Sequence, residues 1–175
     1  MFSAILLAIA TPPLATPAPP PETWDRAAAG FARMMTAEGR VMVRVGERVT
    51  ITLDKDNRPH VESVEPFAGS AFTTERTAAD GSMAFSLSRD AAGGGWLLKG
   101  ENWLATAVAY GAVLGVPVGD SLAFATTSIC DVPSHVVGLE RWANPIAMVA
   151  LGPFQPRAAG APLTCETLAA APTDG

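Results

Sequence analysis

From Arg40 onward, apolar residues recur at every second position in short runs broken by glycine, proline and polar turns. A period of two sends alternate side chains to opposite faces of an extended strand, whereas a helix repeats every 3.6 residues. Val41, Val43 and Val45 form one such run, and Val49, Ile51 and Leu53 form the next. Gly46-Glu47 between them predicts a β-hairpin with glycine at the first turn position. The polar stretch LDKDNRPHVESV predicts a turn leading into a third strand around 61–65. Met83, Phe85 and Leu87 alternate with serines, a further strand; DAAGGG reads as a loop, and WLLKGENW restarts an extended segment. In ENWLATAVAYGAVLG, Gly111 and Gly115 weaken a helix, so the segment reads as strand, with Leu104, Val108, Tyr110 and Ala112 on one side. SLAFATTSIC alternates again, and ANPIAMVALGPF has the profile of a buried strand bounded by prolines. Together these imply a mainly β, antiparallel, sandwich-like domain over 40–165.

The residues before Arg40 follow other rules. Residues 1–21 carry no charged side chain, with a short apolar core at Ala4–Ala10 followed by small residues and prolines. The core is too short for the about 20 residues that a bilayer span needs, and it resembles the h-region and cleavage region of a secretory signal peptide. No Lys or Arg precedes it, and Ala8-Ile9-Ala10 and Ala15-Thr16-Pro17-Ala18 offer cleavage-type sites. Pro12–Pro21 is an extended spacer. Over 22–39, Trp24, Ala28, Phe31 and Met35 fall on one helical face, Glu22 and Asp25 suit the first turn, and Gly39 is a natural stop. One amphipathic helix packing on the domain is expected there. Residues 166–175 are expected to be a flexible tail, part of an Ala-, Pro- and Gly-rich stretch after Gln155 unable to pack alone.

With 175 residues, of which 49% are apolar, the chain suits one domain with a substantial core. Charged residues make up 17% and the formal net charge is −5, so there is no basic footprint for nucleic acid or for anionic lipid.

TSICDVPSHVVGLERW, 127–142, concentrates the chemical candidates. Cys130 and Cys165 are the two cysteines, and in an exported chain an even count predicts one bridge, which would pin the tail to the strand ending at Cys130. The rival is a thiolate at Cys130 with His135 as base and Asp131 or Glu140 in support, but Pro133 intervenes and no oxyanion-hole motif surrounds the cysteine. His60 and His135 are the only histidines and no C-x-x-C occurs, so no metal or other cofactor is expected. Counting from Asp54 to Glu65 partly matches a calcium loop, but Pro59 stands where the loop requires glycine, so a hairpin turn is the reading. GGGWLLKG lacks the Gly-Lys-Ser/Thr order of a phosphate loop, and no G-x-S-x-G elbow is present. A dispersed pair of carboxylates, which carries no local signature, stays open. Trp24, Trp96, Trp103 and Trp142 read first as core. Tyr110 and Trp142 are candidates to line a ligand pocket, with Arg141 beside Trp142 as a binding anchor and His135 nearby.

The order WLLKGENW, AVAYGAVL, TSICDV and GLERWANPIAMVALGPF, spanning Trp96 to Phe154, resembles a group of uncharacterised exported proteobacterial proteins. The chain departs from that pattern at Gly111, where a basic residue is usual, and at Trp103, where glycine is usual. The resemblance implies a secreted β-rich domain with a structural Cys130, and it transfers no catalytic residue. The expectation is thus a periplasmic or secreted protein with no integral membrane span, a non-catalytic module binding or scaffolding an envelope component. Its partner would be an envelope protein or a small ligand. The alternatives are an enzyme with a dispersed site around Cys130 and His135, or a small-ligand-binding β-sandwich.

Overall fold

The computed structural model describes residues 35–36, 38–68, 75–90 and 94–165. It holds eleven strands: β1 (Val41–Arg44), β2 (Glu47–Leu53), β3 (Pro59–Pro66), β4 (Met83–Asp90), β5 (Gly95–Asn102), β6 (Val108–Ala109), β7 (Ala112–Val118), β8 (Ser121–Thr127), β9 (Val136–Trp142), β10 (Met148–Leu151) and β11 (Gln155–Pro156). A four-stranded sheet runs in the order β1-β10-β7-β8 and a five-stranded sheet in the order β3-β2-β4-β5-β9, with β11-β6 as a short third pair. Every strand pairing within these sheets is antiparallel.

The two larger sheets share one core. Val41, Val43, Leu114, Val149 and Leu151 come from the four-stranded sheet, and Val49, Ile51, Met83, Phe85, Leu87 and Leu98 from the five-stranded one. Alternation supplies these residues as inward-facing members of their strands, and burying them against one another is the dominant favourable term in folding. The architecture is the expected antiparallel sandwich.

The hairpin expected at Gly46-Glu47 does not form. β1 pairs with β10, and β2 pairs with β3 and β4, so Val45 and Gly46 carry the chain from one sheet to the other. Gly46 takes φ +82°. Its N–H donates to the Leu87 carbonyl at 2.8 Å, and its carbonyl accepts from Phe67 N at 2.6 Å. Both backbone groups are engaged by other segments, so the glycine changes layer instead of reversing the strand. β9 is a strand in a stretch whose sequence had suggested chemistry. Asp54 Oδ1 accepts from Asp56 N and Arg58 N, and Asn57 sits at φ 61°, closing the β2–β3 turn where the calcium-loop resemblance lay.

The amphipathic helix expected over 22–39 falls largely outside the described residues. Its end is visible: Met35 and Thr36 are helical, Arg40 N returns to the Met35 carbonyl at 2.9 Å, and Gly39 adopts φ +71°. Met35 is buried with Met148 and Ala150, and Met42, Val113 and Leu122 pack around them on the outer face of the four-stranded sheet. No helix among the described residues is long and apolar enough to cross a membrane.

Candidate functional site

Cys130 and Cys165 are joined by a disulfide. The residues flanking Cys130 hold this corner of the fold. Asp131 receives Arg157 Nε at 3.1 Å, Arg157 Nη2 at 3.2 Å and Thr164 N at 3.0 Å. Burial raises the Asp131 pKa, but the Arg157 and Thr164 hydrogen bonds and the Arg157 charge outweigh it and hold the carboxyl below its ordinary range. Glu140 Oε1 accepts the Cys130 N–H at 3.0 Å. The stretch from Arg157 to Cys165 is therefore fixed by one covalent bond and one buried carboxylate.

His135 does not join them. It lies in the turn before β9 at φ 59°, with Nδ1 2.7 Å from Ser134 Oγ and its ring edge-on to Trp103 at 5.6 Å. The His135 backbone N–H donates to the Asn102 carbonyl at 2.7 Å. His135 stands apart from Cys130, Asp131 and Glu140, whose contacts hold the backbone of this corner, and the sulfur needed for a thiolate is in the disulfide.

Tyr110 is buried against Phe85 and Phe154, at ring-centroid distances of 5.4 and 5.5 Å. Its hydroxyl is directed over Gly100, where a Cβ would come within 3.1 Å of it. Burial, and then the Glu140 charge, push its pKa up, so it stays protonated through the physiological range. Tyr110, Cys130, Asp131 and Glu140 line a cavity of about 170 Å³, well below the roughly 300–1,000 Å³ of small-molecule sites.

Trp142 lies elsewhere, packed on the core edge in register with Trp96, with Nε1 donating to Thr127 Oγ1 at 3.3 Å. Arg141 is on the other face of β9, paired with Asp90 Oδ2 at 3.3 Å. Neighbours on a strand point in opposite directions, so these two do not form one anchor. The four candidate binding residues thus occupy separate places.

The sequence reading missed two features. The first is a buried ion pair on the outer face of β5. Lys99 Nζ meets Glu101 Oε1 at 2.8 Å, with the side chains 2% and 1% exposed. Lys99 also donates to the Glu75 carbonyl at 2.6 Å. Glu101 accepts from Thr77 N at 2.8 Å, Thr77 Oγ1 at 2.7 Å, Ala78 N at 3.2 Å and Trp103 Nε1 at 3.2 Å. The Arg76 guanidinium lies 3.9 Å over the Trp103 ring. Burial raises the Glu101 pKa, but the Lys99, Thr77 and Ala78 hydrogen bonds override it and bring it down to about 2. The pair fastens the segment before β4 across the sheet. Its signal was the i, i+2 spacing of Lys99 and Glu101, which puts both on one face of a strand.

The second is an apolar groove beside β3. In the β2–β3 pairing Thr50 faces Ser63 but Ile51 faces Val61, so Glu62 is an extra residue that forms a bulge. Strict alternation would send Val61 and Val64 to opposite faces. The bulge turns both inward, opposite Ile51 and Val49. β1, the edge of the smaller sheet, packs on β2 and β4, so β3 overhangs it. Val61 and Val64 remain 46% and 57% exposed. They line a groove of about 340 Å³ with Val41, Val49, Arg40 and Arg58.

No family model, curated protein or solved structure matches the chain.

Proposed function

We propose that this is an exported, periplasmic or secreted β-sandwich that works as a non-catalytic module, binding or scaffolding another component of the cell envelope. The observation that carries this reading is the Cys130–Cys165 bond. A disulfide persists in an oxidising compartment and takes away the nucleophile of the rival enzyme reading. The adjoining acids support it, since Asp131 holds the tail through Arg157 and Thr164, and Glu140 holds the Cys130 amide.

Intact mass, with and without thiol alkylation, on protein taken from the native envelope tests the reading. A shortened N-terminus with two unreactive cysteines is the expected result. An intact N-terminus with an alkylatable Cys130 would overturn it and make Cys130 and His135 the first residues to replace.

A further inference from the structure

We infer that the groove between β1 and β3 binds a soluble single-chain anionic amphiphile, a free alkyl carboxylate being the simplest. This deepens the reading of the chain as a binding module by naming a ligand class.

Three observations lead there. The walls are aliphatic, with Val41, Val49, Val61 and Val64 among the lining residues, and the Glu62 bulge is what turns the last two into it. The volume, about 340 Å³, is at the lower end of the roughly 300–1,000 Å³ of small-molecule sites, which suits one chain better than two. Among the described residues, the charged side chains that line it are both arginines, Arg40 and Arg58, in a protein whose formal net charge is −5. Arg40 is held by Glu38 at 3.4 Å and by the Gly152 carbonyl. Arg58 is exposed at the rim, its backbone fixed by Asp54. An arginine fork beside an aliphatic wall recognises a carboxylate head on an apolar tail.

An added peptide strand fits less well. Val41 and Val43 face β10 in register with Leu151 and Val149, and Val45 N donates to the Ala147 carbonyl. By alternation Met42 and Arg44 direct their backbone groups to the open edge. The Arg44 N–H is already taken by Glu47 Oε2 at 3.2 Å, and Met42 alone cannot register a strand.

The test is calorimetric titration of the full chain with hexanoate, octanoate and decanoate below their micelle concentrations. Decyltrimethylammonium and phosphatidylglycerol vesicles are the comparators. Saturable one-to-one binding should tighten about fourfold per added methylene, the burial of one CH₂. Arg58→Glu should weaken decanoate at least about tenfold and spare decyltrimethylammonium. Val64→Asp, at an exposed position that tolerates a charge, should abolish decanoate binding, whereas Val118→Asp on the far hairpin should leave it unchanged. Absence of saturable binding, equal affinity for the cationic amphiphile, binding that survives Val64→Asp, or a preference for vesicles would each overturn the inference. Failure here with both cysteines unreactive would remove the ligand class and leave the module reading standing; an alkylatable Cys130 would remove the module reading itself.

Discussion

Replacing Glu101 by glutamine tests whether the Lys99–Glu101 pair fastens the outer face of the five-stranded sheet. Glu101 presents two oxygens to the Lys99 ammonium, two backbone N–H groups, the Thr77 hydroxyl and the Trp103 indole. Glutamine keeps the shape but loses the charge and turns one acceptor into a donor. Lys99, 2% exposed, would be left with the Glu75 carbonyl as its acceptor. Breaking a buried pair by removing one partner costs about 3–5 kcal/mol, mostly through the charge left behind. That is a large share of a typical total of about 5–15 kcal/mol, and at this chain length it lowers Tm by roughly 6–20 °C.

Urea denaturation with the disulfide intact measures the loss directly. The double variant Lys99→Met/Glu101→Gln removes the stranded charge and should recover a substantial part of it. The pH dependence gives a second reading. The Glu101 pKa in the fold is lowered to about 2 from 4.5, so its contribution is fully present above about pH 4.5 and is lost as pH falls toward 2. The contribution is on the order of 3 kcal/mol. The wild type should lose this stability on acidification, and Glu101→Gln should lack that component. A single variant within about 1 kcal/mol of wild type, or a double variant as unstable as the single one, would refute the reasoning.

The same logic extends to other parts of the fold. Replacing Cys130 and Cys165 by alanine opens a loop with a sequence separation of 35 and should cost about 4 kcal/mol in the chain-entropy model, read as a lower urea midpoint. Asp131→Asn removes the charge facing Arg157 and turns one of the two oxygens that accept from Arg157 and Thr164 into a donor. It should speed proteolysis after 155, and the stabilisation it deletes in the wild type is present above the ordinary aspartate range and lost as pH falls through the lowered pKa. Gly95→Ala would put a Cβ 2.6 Å from the Trp142 carbonyl, where backbone must move, and should destabilise by about 1–3 kcal/mol, seen as a lower Tm.

Several strands were legible because their patterns are local: Val49 and Ile51, and Met83 to Leu87, declare their faces by alternation, and the unbroken apolar run Met148 to Leu151 declares a strand covered on both sides. The cysteine pairing was also legible, since only two cysteines were present and the chain after Gln155 had little else to hold it. Strand partnership was not, because it depends on contacts far apart in sequence. Val41–Arg44 and Glu47–Leu53 look like a hairpin until β10 and β4 compete for them and Gly46 becomes a crossing between layers. Tyr110 and Trp142 suggested one ligand pocket, with Arg141 and His135 close to Trp142 in the chain, and alternation along β9 separated Arg141 from Trp142. The groove lay further out of reach. An ordinary alternation count puts Val61 and Val64 on opposite faces, and only the pairing with β2 shows the extra residue at Glu62 that brings them together. The sequence by itself determined an extended, alternating chain with one covalent clamp. The tertiary structure alone decided which apolar residues are left facing an opening, because exposure depends on the number of strands in the opposing sheet, a property of the whole assembly.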